Sequence, residues 1–371
     1  MAKLEDICEI LDSRRVPITA EDRVAGQYPY YGANGVQDYV ADYIFDDELV
    51  LLAEDGGYFG SSDKPIAYRV SGKCWVNNHA HVLKPKSCID VDYLCYSLMF
   101  RDVSAIVNGA TRQKLTQSDM RKIEITLLPI GEQQTVVEKI SKVFKLIALR
   151  KKQLSKLEEL VKSRFIELFG SLNDNEKGLD IVSIEELCTL IKDGTHQTPT
   201  YTEDKQNGFK FLSSKDVMTQ KICWDDIKYI PAELHEKLYA TIQPQRNDIL
   251  MSKNGVNYGV AAVNDTDEIF DIYVSLALLR PRTDMVNPVY LRCVINNPDT
   301  KRQFDSSIKG IGVPNLHLGE IKKTKVLLPP IDKQNEFVAF VEQTDKSKLA
   351  IQQSLEKLET LKKSLMQKYF G

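Results

Sequence analysis

His79 and His81 stand one residue apart in WVNNHAHVL (75–83), a spacing that puts two imidazoles on one face of a strand, where they could share a metal ion. Glycines spaced four apart, Gly56 with Gly60 and Gly255 with Gly259, could bring backbone amides to a phosphate or form a tight turn after a strand. Cations gather in RQKLTQSDMRK (112–122), four against one acid, and in KRQFDSSIKGIGVPNLHLGEIKKTK (301–325), six against two. Such runs hold phosphate or form a solvated surface. No G-x-x-x-x-G-K-[S/T] cradle for ATP is present, and no GxGxxG loop precedes a helix. A nuclease-like cluster of carboxylates and lysine is also missing.

The elements that must position these residues come twice. Residues 115–170 align with 316–371 without a gap, and 17 of the 56 positions are identical, from Leu115/Leu316 through Gln133/Gln334 to Phe169-Gly170/Phe370-Gly371. Upstream the likeness is weaker. LEDIC (4–8) matches IEELC (184–188) at an offset of 180, and EDGGYFG (54–60) matches KNGVNYG (253–259) at an offset of 199. Most of the drift arises between about positions 10 and 50. Each half is therefore a shared start, a divergent middle and a preserved end, one scaffold with two payloads. The second copy carries Ser275 and Ala277 where the first has its two histidines, which favours structural histidines over a metal pair. Matched placement of the two glycine pairs favours the turn.

The preserved ends read as long helices. Apolar residues at 3–4 spacing run through Ile147, Leu154, Leu157 and Val161 in one copy and Ile351, Leu355, Leu358 and Leu365 in the other. Arg150 and Arg164 interrupt the first seam where the second has Ile351 and Leu365; Lys348 and Lys362 interrupt the second where the first has Ile147 and Val161. Each helix can cover the other, so an antiparallel pair within the chain is expected. Pro129 and Pro330 precede the starts, with Asp332 as a helix cap, and Gly170 and Gly371 follow the ends. The middles, YPYYGANGVQDYVADYIF (28–45) and DILMSKNGVNYGVAAV (248–263), are rich in aromatic and β-branched residues around Gly-Asn turns and read as strands.

Composition bounds the rest. The 371 residues are 43% hydrophobic and 27% charged with a net charge of −3, an ordinary globular balance for two or three domains. Bulk charge does not point to nucleic acid, so only local patches can. Seven scattered cysteines without a CxxC pair suit a reducing cytosol. The start MAKLEDICEI lacks a signal-peptide pattern and no run of 18 apolar residues suggests a membrane span, so a cytoplasmic protein is expected.

Two variable strand-rich domains alternating with two preserved helices, LPIGEQQTVVEKI and LPPIDKQNEFVAFV at their starts and LxxLxxxKxSxxxxxFG at their ends, resemble the specificity subunit of Type I restriction–modification systems. YYGANGVQDYV and DGTHQTPTY look like openings of that family's target-recognition domains. The resemblance covers essentially the whole chain; Lys333 departs from it where the first copy has Glu132. It implies a mixed α/β fold with target-recognition domains at 1–115 and 171–315, and antiparallel coiled-coil spacer helices at 116–170 and 316–371, in a pseudo-twofold repeat. It implies double-stranded DNA as ligand, a bipartite target read through the major groove, two methyltransferase subunits and motor–nuclease subunits as partners, and no chemistry in this chain. S-adenosylmethionine, ATP and Mg would be used by the partners, with no cofactor here. In keeping with this, the [N/D]-P-P-[Y/F] motif that holds a flipped adenine is absent, the nearest strings being NNPDT (296–300) and LPPID (328–332).

Base reading needs bidentate side chains on loops that enter a groove. Asn34 and Gln37 beside Tyr31 qualify in the first half, and His196, Gln197, Thr198, Lys253, Asn254 and Asn257 in the second, with Arg112, Lys114 and Lys309 as phosphate contacts. The recognition subunit of a Type IIG or IIB enzyme shares this architecture, and a coiled-coil scaffold that never meets DNA is a rival of another class.

Overall fold

The preserved ends form two continuous helices, Ile130–Phe169 and Ile331–Phe370, of 40 residues each, or ~60 Å at ~1.5 Å per residue. The prolines set their starts. The carbonyl oxygen of Pro129 accepts from the amides of Glu132 and Gln133 (2.9 and 3.1 Å), and that of Pro330 from Lys333 and Gln334 (2.9 and 3.1 Å). The second helix thus begins one residue before Asp332, which lies in the first turn instead of capping it. Its charge still suits the positive end of the helix dipole. Gly170 follows the first helix at φ +73°, the left-handed conformation that ends a helix at little cost for glycine.

The computed structural model describes residues 1–109, 113–308 and 314–371. It divides into two compact units, Met1–Gln153 with Ile351–Gly371, and Leu154–Ala350. Each long helix contributes one stretch to each unit.

The first unit opens with β1 (Ala2–Lys3), α1 (Leu4–Ile7) and β2 (Cys8–Ile10), followed by β3 (Ala25–Gly32), β4 (Gly35–Val40), β5 (Phe45–Ala53), β6 (Ala67–Val76) and β7 (Ala80–Pro85). Then come α2 (Val91–Met99), α3 (Gln117–Arg121), β8 (Glu124–Ile125) and the first stretch of α4 (Ile130–Phe169). One six-stranded sheet has the order β2-β7-β5-β6-β3-β4, parallel only between β3 and β6. β1 pairs with β8 in a separate ladder, Ala2 opposite Ile125. Leu49–Ala53 are buried on both faces of the sheet, under α2 on one side and under Leu11, Phe45 and Val82 on the other.

The second unit contains β9 (Asp180–Ser183), β10 (Cys188–Asp193), β11 (Phe209–Leu212), β12 (Lys228–Ile230), α5 (Ala232–Tyr239), β13 (Ile249–Ser252), β14 (Ala261–Val263), β15 (Phe270–Ile272) and β16 (Leu276–Pro281). α6 (Pro288–Ile295), α7 (Pro298–Ser307), α8 (Leu318–Lys323), β17 (Lys325–Leu328) and the start of α9 (Ile331–Phe370) complete it. The sheets run β10-β16-β13-β14 and β12-β11-β15, with β17 against β9.

The repeat is now visible as geometry. The order β2-β7-β5-β6 recurs as β10-β16-β13-β14, and the β1–β8 ladder recurs as β9–β17 with Val182 opposite Val326. What differs is the insert between the first two shared strands. It is the β3–β4 hairpin in the first unit, and β11, β12 and α5 in the second, where β15 then joins β11 in parallel.

Two pairs of residues fix the long helices identically. Gln133 and Gln334 are both fully buried. Gln133 accepts from the amide of Asp90 (2.8 Å) and donates to the carbonyls of Cys88 and Leu128 (3.0 and 2.7 Å). Gln334 accepts from the amide of Asn287 (2.8 Å) and donates to the carbonyls of Met285 and Pro329 (3.1 and 2.8 Å). Asp90 and Asn287 in turn cap α2 and α6 with their side chains. At the far ends, Phe370 packs edge-on against Tyr93 in the first unit (5.2 Å between ring centres), and Phe169 against Tyr290 in the second (5.3 Å). Each helix is therefore latched at its start in the domain of its own repeat and packs its final phenylalanine against the core of the other unit, Phe169 buried and Phe370 partly buried. The twice-written Phe-Gly ending has this work.

Within each unit the helix stretches run antiparallel. In the first, Lys362 lies over the Phe144 ring and Lys151 pairs with Glu359 at 3.2 Å; in the second, Arg164 pairs with Glu336 at 3.1 Å beside the Phe165–Phe337 contact. Of the expected seam residues Ile147 is buried, and Leu154, Leu157, Val161, Ile351, Leu355, Leu358 and Leu365 are half-buried. Among the described residues no helix is long and apolar enough to cross a membrane.

Gln133→Ala strands a buried amide and two carbonyls, and should destabilise the protein by on the order of 1–3 kcal/mol in urea unfolding. Gln334→Ala should cost about the same, because its three bonds are the same. A loss below about 0.5 kcal/mol in either variant would show that the amide is not what holds the helix start.

Candidate nucleic-acid interface

The glycine loops lie at equivalent places in the two units. After β5, Asp55 bridges to Lys114, and after β13, Asn254 bridges to Asn315. Leu115 donates its amide to the Glu54 carbonyl (2.7 Å) and Leu316 to that of Lys253 (2.9 Å). Gly56, Gly60, Gly255 and Gly259 all have φ between +64° and +88°. A side chain is disfavoured in that conformation, which accounts for the repeated spacing as a turn.

Under each loop is a buried ion pair, with opposite polarity in the two halves. In the first, Glu54 meets Arg15 (2.5 Å) and Lys114 (2.9 Å). In the second, Lys253 occupies the place of Glu54 and meets Asp193 (2.5 Å). The first cluster extends further. His81, fully buried on β7, directs Nδ1 at Asp12 Oδ2 (2.6 Å) and Nε2 at the Leu115 carbonyl (2.9 Å). Asp12 also accepts from the Val82 amide (2.9 Å) and the Gln117 side chain (2.9 Å). Burial pushes the Asp12 carboxyl up, but the His81 contact, the Val82 amide and Gln117 outweigh it and leave it below the ordinary range. Glu54 behaves alike, with Arg15, Lys114 and His81 overcoming the burial. Asp12, Glu54 and His81 are close enough together to hold a metal ion, yet the Arg15 guanidinium already sits between the carboxylates as their cation. His79 pairs separately with Asp55 (2.7 Å).

The expected reading residues fall into distinct settings. Asn34 is exposed and donates to the Gly56 carbonyl (3.0 Å), which ties the β3–β4 turn to the glycine loop. Gln37 is exposed and accepts from Asn77 (3.1 Å). Tyr31 is half-buried against Tyr68. His196, Gln197, Thr198 and Asn257 are exposed, with His196 3.5 Å from Asp193. The structure thus gathers Asn34 and Lys114 around one glycine loop, and His196 and Lys253 around Asp193 beside the other. Lys253 differs from the expectation: it is 4% exposed and its ammonium is committed to Asp193, so it holds the loop in place of reaching outward. Asn254 is half-buried beneath that loop. Arg112 and Lys309 lie outside the described residues.

Many cations of the basic runs have acidic neighbours: Lys122 with Asp119, Lys301 with Asp305, Lys322 with Glu185, Lys323 with Glu320 and Lys325 with Glu186. Most of these pairs are exposed, and such pairs contribute only ~0–1 kcal/mol, so exchanging a carboxylate for a phosphate costs little. The buried Asp12–Arg15–Glu54–His81 cluster has no sequence signal beyond Asp12 and Arg15 spaced one turn apart, because its members come from separated segments.

The family described as Type I restriction modification DNA specificity domain matches residues 1–159 and 176–362. A putative type I restriction enzyme specificity subunit of Haemophilus influenzae is 26% identical over 98% of this chain and 94% of its own length. A type I specificity subunit of Methanocaldococcus jannaschii is 20% identical over 99% and 90%. The crystal structure of a Type I S subunit from M. genitalium superposes with a TM-score of 0.63 at 13% identity, covering 100% of this chain and 95% of that one. A chain from a structural study of assembly in the type I R-M system gives 0.55 at 16% identity, over 100% and 96%.

The depressed carboxyls fix the sign of an acid response. Groups held below their unfolded values lend stability that is fully present above the unfolded pKa of about 4 and is lost as pH falls through the folded values. The urea midpoint should therefore fall as pH drops below about 4. Asp12→Asn should make that fall shallower, and an unchanged slope in the variant would remove Asp12 from the account.

Proposed function

From a chain that belongs to the Type I restriction modification DNA specificity family, we infer that each unit reads one part of a bipartite DNA target while partner subunits perform the chemistry. Its role is DNA sequence specificity within a restriction–modification system. The specificity relatives favour this reading over a Type IIG or IIB recognition subunit and over a scaffold that never meets DNA.

One observation carries the bipartite reading. The two units share four strands in the same order, the same glycine loop and the same glutamine latch, and differ in the insert beside that loop. A constant frame with an exchanged insert suits two readers of different sequence. The exposed amides of Asn34, Gln37, Gln197 and Asn257 and the hydroxyl of Thr198 would face base edges, and His196 and Lys114 the sugar–phosphate edge. Two methyltransferase subunits would dock on the long helices and motor–nuclease subunits on that core, with S-adenosylmethionine, ATP and Mg bound by those partners.

Exchanging residues 10–110 for the equivalent region of a relative should change one half of the methylated sequence and leave the other half and the spacer unchanged. Inserting about four residues, roughly one turn, after Leu149 should lengthen the spacer and keep both half-sites. Methylation-sensitive sequencing of cells carrying each variant with its partner reads both outcomes; a swap that alters both halves would refute the modular reading. The purified chain alone should transfer no methyl group from S-adenosylmethionine to DNA, and any such transfer would overturn its role as a non-catalytic subunit.

A further inference from the structure

His81 is fully buried, and both of its ring nitrogens face acceptors: the Asp12 carboxylate at 2.6 Å and the Leu115 carbonyl at 2.9 Å. A neutral imidazole has only one N–H, so one contact would set a lone pair against an oxygen. The Arg15 guanidinium 3.6 Å from Oδ2, with Gln117 donating to that oxygen and the Val82 amide to the other, favours an ionised Asp12, which leaves the missing proton to the ring. The geometry therefore points to a ring protonated on both nitrogens. The charged groups of the cluster are two carboxylates that favour that state, Asp12 from the turn after β2 and Glu54 after β5, at 3.6 Å from Nδ1, and two cations that oppose it, Arg15 and Lys114, each paired with Glu54. Two buried carboxylates balance the guanidinium and the imidazolium.

The same cluster pins the segment that enters α3 at three successive points. Lys114 pairs with Glu54, the Leu115 carbonyl accepts from His81, and Gln117 donates to Asp12. That segment carries the basic run of the first half. In the second half Ala277 stands in place of His81, and among the described residues no histidine meets Leu316.

We propose that His81, held as a buried imidazolium, is a positioning residue for DNA recognition by the first half alone: it fixes Leu115 and with it the basic segment from Lys114 to Lys122. This role rests on the reading of the chain as a two-part DNA reader.

Two measurements test it. In the full chain labelled with 15N-histidine, five histidines contribute signals, and those missing in His81→Ala identify His81. Both ring nitrogens should carry protons at neutral pH; a single neutral tautomer overturns the proposal. The complex with its methyltransferase partner is then supplied with S-adenosylmethionine and a plasmid library randomised across the mapped target. His81→Ala, which installs the residue native to the second half, should relax base discrimination in one half-site by about tenfold and leave the other unchanged. Equal loss in both halves, or none in either, overturns the role. Should the variant fail to fold, His81→Gln, whose neutral amide keeps a donor but not the imidazolium, decides: discrimination should fall at that half-site relative to the other in the same reaction, and a constant ratio overturns the role. Wild type that methylates no bipartite sequence overturns the broader reading and this role together, whereas bipartite methylation with a neutral His81 overturns only the latter.

Discussion

A buried side-chain amide with its three nearest hydrogen bonds filled is the constraint on which this architecture turns. Gln133 and Gln334 each join the first turn of a 40-residue helix to the segment that caps the next helix of the domain. An amide in that position cannot slide, since moving by one residue strands a buried donor and two acceptors. The long helix is therefore fixed in register to its own domain before any apolar contact along it is counted. Its far end is fixed by different means, a phenylalanine edge-on to a tyrosine in the core of the other unit. Polar attachment at one end sets position, and aromatic burial at the other supplies area. The half-buried leucines between them need only exclude water.

This division explains why the helices tolerate imperfect seams. Arg150, Arg164, Lys348 and Lys362 interrupt the apolar stripes, and each is half-buried. Lys362 holds its ammonium over the Phe100 and Phe144 rings and on Glu359 (2.5 Å), while Arg164 reaches Glu336 and Glu167. Long cationic side chains can cover apolar surface without surrendering hydration of the charge. A strict zipper in both copies would favour pairing of like helices between chains. The complementary interruptions favour the pairing found within one chain.

Much of this is legible in the sequence. The gapless repeat over 115–170 and 316–371 located both helices, the prolines their starts and Gly170 the end of the first. The drift in offset located the insert that differs between the units. What sequence could not supply was the use of the identical residues: Gln133 and Gln334 are two of seventeen matches, and nothing local distinguishes a buried latch from a surface glutamine. The helix start at Ile331 in place of an Asp332 cap reflects the same limit, since proline's carbonyl already fills the capping role. Lys253 reads as an outward donor because its neighbours SKNGVN look like a loop. Its burial depends on Asp193, sixty residues away, a pairing that no spacing rule encodes.

That pairing also shows what the frame holds constant. At one position of the shared scaffold the first half has Glu54 and the second Lys253, and each is buried with a partner of opposite sign, Arg15 or Asp193. The physical demand under the glycine loop is for neutrality, because an isolated buried charge is expensive and a paired one is tolerated. Either polarity meets that demand, provided that both partners change together. Arg15 lies in the segment that diverges between the halves, whereas Asp193 ends β10, so the partner has also moved along the chain. The backbone of the loop, with its left-handed glycines and its bridge to the segment ahead of α3 or α8, is indifferent to the exchange. A scaffold that fixes the loop through backbone bonds and requires only charge balance beneath it leaves the local potential free to differ between the two units. Electrostatic character can then vary with the inserts while the latched helices and the four shared strands remain unchanged.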